Sequence, residues 1–71
     1  SQEGEIKPTR LDILLIEGDD LIQIGEFEKA KVKFEEALQI NPNDSLTLKK
    51  YALALHKLNN LKDSLEQFER V

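Results

Sequence analysis

The amino-acid sequence predicts an all-α protein in which two antiparallel helix pairs stack and begin a right-handed superhelix. Three observations lead to this prediction. The 71-residue chain matches itself after a shift of 34 residues, a period that fits a unit of two helices. Apolar residues recur at helical spacing within each half of the chain. Residues that end helices stand between these segments, at Gly25 and at Asn41-Pro42.

The two halves of the chain agree in side-chain size more than in identity, as a repeated packing unit requires. The aligned pairs are Leu14 with Leu48, Gly18 with Ala52, Leu21 with Leu55, Gly25 with Asn59, Phe27 with Leu61, Ala30 with Ser64, Phe34 with Phe68 and Ala37 with Val71. We therefore expect a flexible segment at 1–8 and a helical domain at 9–71. Its first repeat should span about 11–44 and its second about 45–71.

Local signals place the first two helices. Pro8 precedes the first helix, and the spacing of Thr9 and Asp12 is that of a capping box. Gly25 supplies a left-handed turn that ends this helix. The second helix should run from near Phe27 to about Ile40, where the following proline stops it.

The third and fourth helices are predicted by analogy with the first pair. Asn43 or Asp44 should cap the third helix, and Asn59 should end it, because Asn tolerates the left-handed region better than other residues with a side chain. The inner stripe predicted for the third helix is Leu48, Ala52, Leu55 and Leu58. The stripe predicted for the fourth is Leu61, Ser64, Leu65, Phe68 and Val71.

Gly18 stands inside a helical stripe, where glycine costs about 0.5–1 kcal/mol relative to alanine. A helix that crosses closely, opposite Ala30, would explain its presence. On this interpretation Gly18→Leu should push the helices apart. Gly18→Ala should be neutral or mildly stabilising, because it restores helix propensity.

The order of these residues resembles the tetratricopeptide repeat. The first copy has Leu14, Gly18 and Leu21, then Gly25-Glu26-Phe27, then Ala30 with Phe34, Ala37-Leu38, and Pro42. The second copy lacks its last seven positions. The resemblance implies a helical repeat that binds a protein or peptide partner and needs no cofactor. It also implies a module of a larger scaffold or a protein similar to a co-chaperone.

The resemblance further implies that the first helix of each repeat lines a concave groove. The residues at the groove positions are Asp12, Leu15, Asp19, Ile22, Gln23, Leu46, Lys49, Leu53, His56 and Lys57. The alternative is a solvated helix surface on which Asp19 and Lys49 pair with each other. A clamp for carboxylate tails, known in some members of the family, is not expected, because Leu15, Asp19 and Lys50 stand at its positions.

Composition excludes several other functions. The net charge is −4, so the clustered basic surface that nucleic acid binding needs is missing. There is no cysteine, and the one histidine, His56, has no partners for a metal or catalytic site. The longest apolar run, Ile13 to Ile16, is too short to span a membrane. We therefore expect neither an enzyme nor a metal or cofactor site.

A second hypothesis is self-association through surfaces that a longer array would cover. The predicted fourth helix ends in an uncovered apolar stripe, and two isoleucines of the first helix lie off its core stripe. The candidate self-association residues are Ile13, Ile16, Leu65, Phe68 and Val71. Either neighbouring repeats cover these residues, or copies of this chain cover one another. The alternative is a marginally stable monomer whose last helix frays.

Overall fold

A computed structural model describes residues 6–69 and contains three α-helices in that range. Helix α1 is Arg10–Gln23, α2 is Phe27–Ile40 and α3 is Ser45–Glu69. The all-α class and the helical repeat are thus confirmed. Residues 6–9 form no regular structure, and the rest of the predicted 1–8 segment, like Val71, lies outside the described range.

Both predicted caps of the first helix pair are present. The Thr9 hydroxyl oxygen accepts a hydrogen bond from the Asp12 backbone N–H at 3.1 Å, and the Thr9 N–H donates to Asp12 Oδ2 at 2.9 Å. Gly25 has a φ of +81°, in the left-handed region, and nothing crowds the space where a Cβ would lie. The chain therefore reverses within three residues, so that α2 packs antiparallel on α1.

The core is formed where these helices meet. Its buried residues are Leu14, Leu15, Ala30, Phe34, Ala37 and Ala54. The closest approach is at Gly18, where a Cβ would overlap the ring of Phe34. The expectation for this crossing named only Ala30, and it missed the Phe34 side chain, whose ring atoms lie nearest to that position.

Helix α3 continues without a break through Asn59, so the prediction of separate third and fourth helices is wrong. It begins as predicted, because Asp44 Oδ2 accepts the Thr47 backbone N–H at 3.0 Å. No glycine or proline occurs between Asn60 and Glu69. Asparagine costs less than about 0.7 kcal/mol in a helix interior, whereas a left-handed residue with a side chain costs roughly 1–2 kcal/mol. Continuing the helix is therefore the less costly local choice at Asn59.

The inner stripe predicted for the third helix is also wrong at three of its four positions, and only Leu58 is half-buried. Leu48 and Leu55 are 44% and 41% exposed, and Ala52 is exposed as well. Those residues were expected to pack against a fourth helix, and the continuous α3 supplies none. The side that packs on α2 is the neighbouring one, and its residues are Thr47, Tyr51, Ala54 and Leu58.

Candidate protein-binding groove

A groove of about 440 Å³ lies between α1 and the first turns of α3, beside the N-terminal segment. Short loops place these two helices on the same side of α2, so that their side chains form opposite walls. The lining residues are Ile6, Pro8, Asp12, Leu15, Ile16, Asp19, Leu46 and Lys50. Of the predicted groove residues, the structure thus brings together Asp12, Leu15, Asp19 and Leu46.

The groove has an apolar floor and two apolar walls. Leu15 is only 8% exposed and belongs to the core, so it forms the floor rather than an open contact surface. Ile16 on α1 and Leu46 on α3 are 56% and 53% exposed. A single exposed aliphatic residue is common on protein surfaces, but these two line one concavity with Leu15 beneath them. This arrangement can take up an apolar side chain of a partner.

An ion pair joins the two walls. Lys50 Nζ lies 2.9 Å from both carboxylate oxygens of Asp19, which links α3 to α1. The Asp19 side chain is 47% exposed, so solvent screens the pair and its contribution to stability is at most about 1 kcal/mol. Lys49, predicted as the partner of Asp19, lies one residue away on an exposed part of α3. The pair therefore bridges the two walls but adds little to the stability of the fold.

Asp12 provides a further charged group at the groove. One of its carboxylate oxygens accepts the Thr9 N–H, and the side chain is otherwise exposed. Within residues 6–69 the structure gives it no ion pair with a lysine or arginine. Because Lys50 neutralises Asp19, Asp12 leaves the groove with one net negative charge.

The remaining predicted residues lie outside this concavity. Ile22 is partly buried against the core, and Gln23 is exposed at the end of α1. On α3, Leu53 is 44% exposed and lies on the same side of the helix as Leu46, seven residues further on. The other two predicted residues of α3 make contacts outside the groove. Lys57 Nζ is 5.9 Å from the Phe27 ring centre, and His56 Nε2 is 3.3 Å from Asn60 Nδ2.

Sequence reasoning missed four lining residues, namely Ile6 and Pro8 of the N-terminal segment and Ile16 and Lys50 on the helices. Ile16 was expected at a self-association surface, yet it lies four residues after Asp12 and therefore on the same side of α1. Lys50 stands in the same relation to Leu46. This i, i+4 spacing was visible in the sequence, but Lys49 stands three residues after Leu46, so helical spacing alone does not separate Lys49 from Lys50.

Hydrogen bonds outside the groove shift the pKa values of two side chains. The hydroxyl and backbone N–H of Thr47 both donate to Asp44, and these hydrogen bonds hold the pKa of Asp44 below its ordinary value. The hydrogen bond of Tyr51 to Glu35, at 3.0 Å, raises the pKa of Tyr51, and burial adds to this. Both contacts are structural, since neither group lines a concavity.

The possible metal ligands of residues 6–69 do not cluster. No group of three or more histidine, cysteine or acidic side chains could hold a metal ion there. In the same range, no helix combines the length and the apolar character needed to cross a bilayer.

Comparison with known proteins bears on the first two helices. The family model of the tetratricopeptide repeat matches residues 12–44, which contain nearly all of α1, all of α2 and the turns that follow each. No curated protein and no solved structure gives a significant match. Repeats of this family generally mediate protein–protein interactions and are generally not enzymes. The matched range holds the crossing of Gly18 and Phe34 and the left-handed Gly25, and residues 12–44 of this chain are a tetratricopeptide repeat.

Proposed function

We propose that this protein is an interaction module that binds a peptide or helix of a partner protein in the groove between α1 and α3. The observation that carries the proposal is the concavity itself, in which the exposed Ile16 and Leu46 stand over the buried Leu15. Recognition of this kind uses an apolar anchor for affinity and charged neighbours for orientation.

The charges of the groove favour a particular partner chemistry. Asp19 is already paired with Lys50, so the carboxylate of Asp12 is the group left for a partner. We expect a segment that places one aliphatic or aromatic side chain between Ile16 and Leu46. A lysine or arginine close to that anchor would then contact Asp12.

A selection from a random peptide library tests this function, because the selection itself supplies the ligands. Peptides that bind the immobilised protein are sequenced and then titrated into 15N-labelled protein. We expect the selected peptides to share an apolar residue near a basic one, and to shift the amide signals of Ile16, Leu46 and Lys50. Failure to select any peptide, or shifts confined to residues outside the groove, would contradict the proposal.

A further inference from the structure

The C-terminal part of α3 extends beyond the helix on which the rest of it packs. Helix α3 runs antiparallel to α2, as Tyr51 meets Glu35 and Lys57 lies over Phe27. Because α2 begins at Phe27, residues 59–69 of α3 have no helix beside them. This overhang of 11 residues is roughly 16 Å long at 1.5 Å per residue.

The side of α3 that packs on α2 keeps its apolar pattern along the overhang. The residues are Tyr51, Ala54, Leu58, Leu61, Leu65 and Phe68, separated alternately by three and four positions. This is the spacing of a helix that packs along another helix over several turns. Tyr51 and Ala54 have α2 as that partner, and the half-buried Leu58 lies where α2 ends. Leu58 and the three apolar residues after it are here called the overhang stripe, and the last three continue past α2.

The overhang stripe is exposed and forms one wall of a second concavity. Leu61, Leu65 and Phe68 are 46%, 55% and 81% exposed. A concavity of about 480 Å³ lies where the overhang leaves α2, and Leu58, Leu61 and Leu65 line it together with Glu28. The space beside the overhang is thus collinear with α2, and its shape and spacing suit another helix.

We propose that a second copy of this chain fills that space, with the two overhangs packed antiparallel about a two-fold axis. The exposed surface continues the α2–α3 interface. The helix of the second copy lies where α2 would lie if it were longer, and it packs on the same side of α3. The antiparallel pair sets Leu61 across from Leu65 of the second copy, and Leu58 across from Phe68 of the second copy. Each overhang then covers the stripe of the other, so the contact closes on itself as a dimer.

The position of α2 decides the relative direction of the two helices. A parallel pair would bring the first turns of the second α3 onto the side of α3 that α2 already occupies. In the antiparallel pair the overlap covers the overhangs and ends at Lys57 and Leu58, level with the start of α2 at Phe27. The same pairing brings Lys57 of one copy level with Glu69 of the other, which are opposite in charge.

The contact is small, and this sets the concentration at which it should be seen. Stable dimers bury about 800 Å² on each partner, and four side chains on each copy provide less. We therefore expect a weak dimer whose average mass in sedimentation equilibrium rises from the monomer value of 8.2 kDa between about 20 µM and about 1 mM. A mass that stays at one chain at about 1 mM would overturn the proposal, as would open-ended polymers.

Matched substitutions locate the contact. Leu61→Glu together with Leu65→Glu places charges on the stripe and should weaken the dimer by about tenfold or more. Leu48→Glu alters an equally exposed leucine on another side of α3 and should leave association unchanged. Circular dichroism should show the same helix content in all three proteins. Dimerisation that survives the double substitution, or is lost in the control, would overturn the assignment.

The direction of the helices is tested by cross-linking, because the natural chain has no cysteine. Under mild oxidation, an equimolar mixture of Leu58→Cys and Phe68→Cys should form a mixed disulfide, since these positions lie across from each other in the pair. Phe68→Cys alone should cross-link slowly, because its two copies lie at opposite ends of the overlap. Equally fast cross-linking of Phe68→Cys alone would contradict the antiparallel arrangement.

Discussion

The ring of Phe34 lies against the backbone of Gly18, in the space that a Cβ on residue 18 would occupy. Phe34 is fully buried, and it is the largest of the fully buried side chains. The ring cannot swing into solvent to make room. The absence of a side chain at residue 18 is therefore what allows α1 and α2 to approach this closely.

The first prediction is that Gly18→Ala destabilises the protein, in contrast to the gain that helix propensity alone predicts. The added methyl group overpacks the core, which typically costs about 1–3 kcal/mol and exceeds the gain of about 1 kcal/mol in propensity. Thermal unfolding should show a lower melting temperature for Gly18→Ala and a still lower one for Gly18→Leu. In a Phe34→Leu background the same alanine should cost less, because the two sites are coupled. A Gly18→Ala protein that melts above the wild type would show that the ring does not fill this space.

The second prediction concerns Gly25, which has free space around the position of a Cβ. A Cβ there meets no atom, but the φ of +81° is unfavourable for a residue with a side chain. Gly25→Ala should therefore lose about 1–2 kcal/mol of stability, and Gly25→Asn should lose less because asparagine tolerates this region. Chemical unfolding of both variants measures the difference. Equal losses for Ala and Asn would mean that backbone conformation is not the cause.

The third prediction is a pH dependence at the start of α3. The lowered pKa of Asp44 means that its ionised form is favoured in the folded protein, because Thr47 donates hydrogen bonds to it. Its contribution to stability is therefore present above its unfolded pKa and is lost as the pH falls through the lower, folded value. The neutral Asp44→Asn cannot titrate. The melting temperatures of wild type and Asp44→Asn should differ more at about pH 7 than at about pH 2.5, and a difference independent of pH would exclude this role.

Most of the first repeat could be predicted from the sequence because its signals are local. The capping box of Thr9 and Asp12, the turn at Gly25 and the limits of α2 all depend on residues close together in the chain. The expectation that the structure changes there, the sign of the effect of Gly18→Ala, depends on a contact made across the core. Helix propensity predicts the effect of residue 18 on its own helix, but it takes no account of the Phe34 ring that packs on Gly18.

The second repeat was predicted less well because its signals are weak analogues of the first. Asn59 can end a helix or continue it, and nothing after it forces a turn, so the inner stripe drawn for a helix hairpin faces solvent instead. The groove was found only in part for a similar reason. Which of Lys49 and Lys50 reaches Asp19 depends on how α3 is rotated about its axis against α2, and no local pattern sets that rotation.

The central claim, that the groove between α1 and α3 binds a partner, is tested most directly by two leucines that are close in sequence. Leu46 lines the groove, whereas Leu48 does not, and they are 53% and 44% exposed. Calorimetric titration of a library-selected peptide should give an affinity at least about tenfold weaker for Leu46→Asp than for the wild type. It should give an unchanged affinity for Leu48→Asp. Equal affinities for both variants, or a loss at Leu48→Asp alone, would contradict the account.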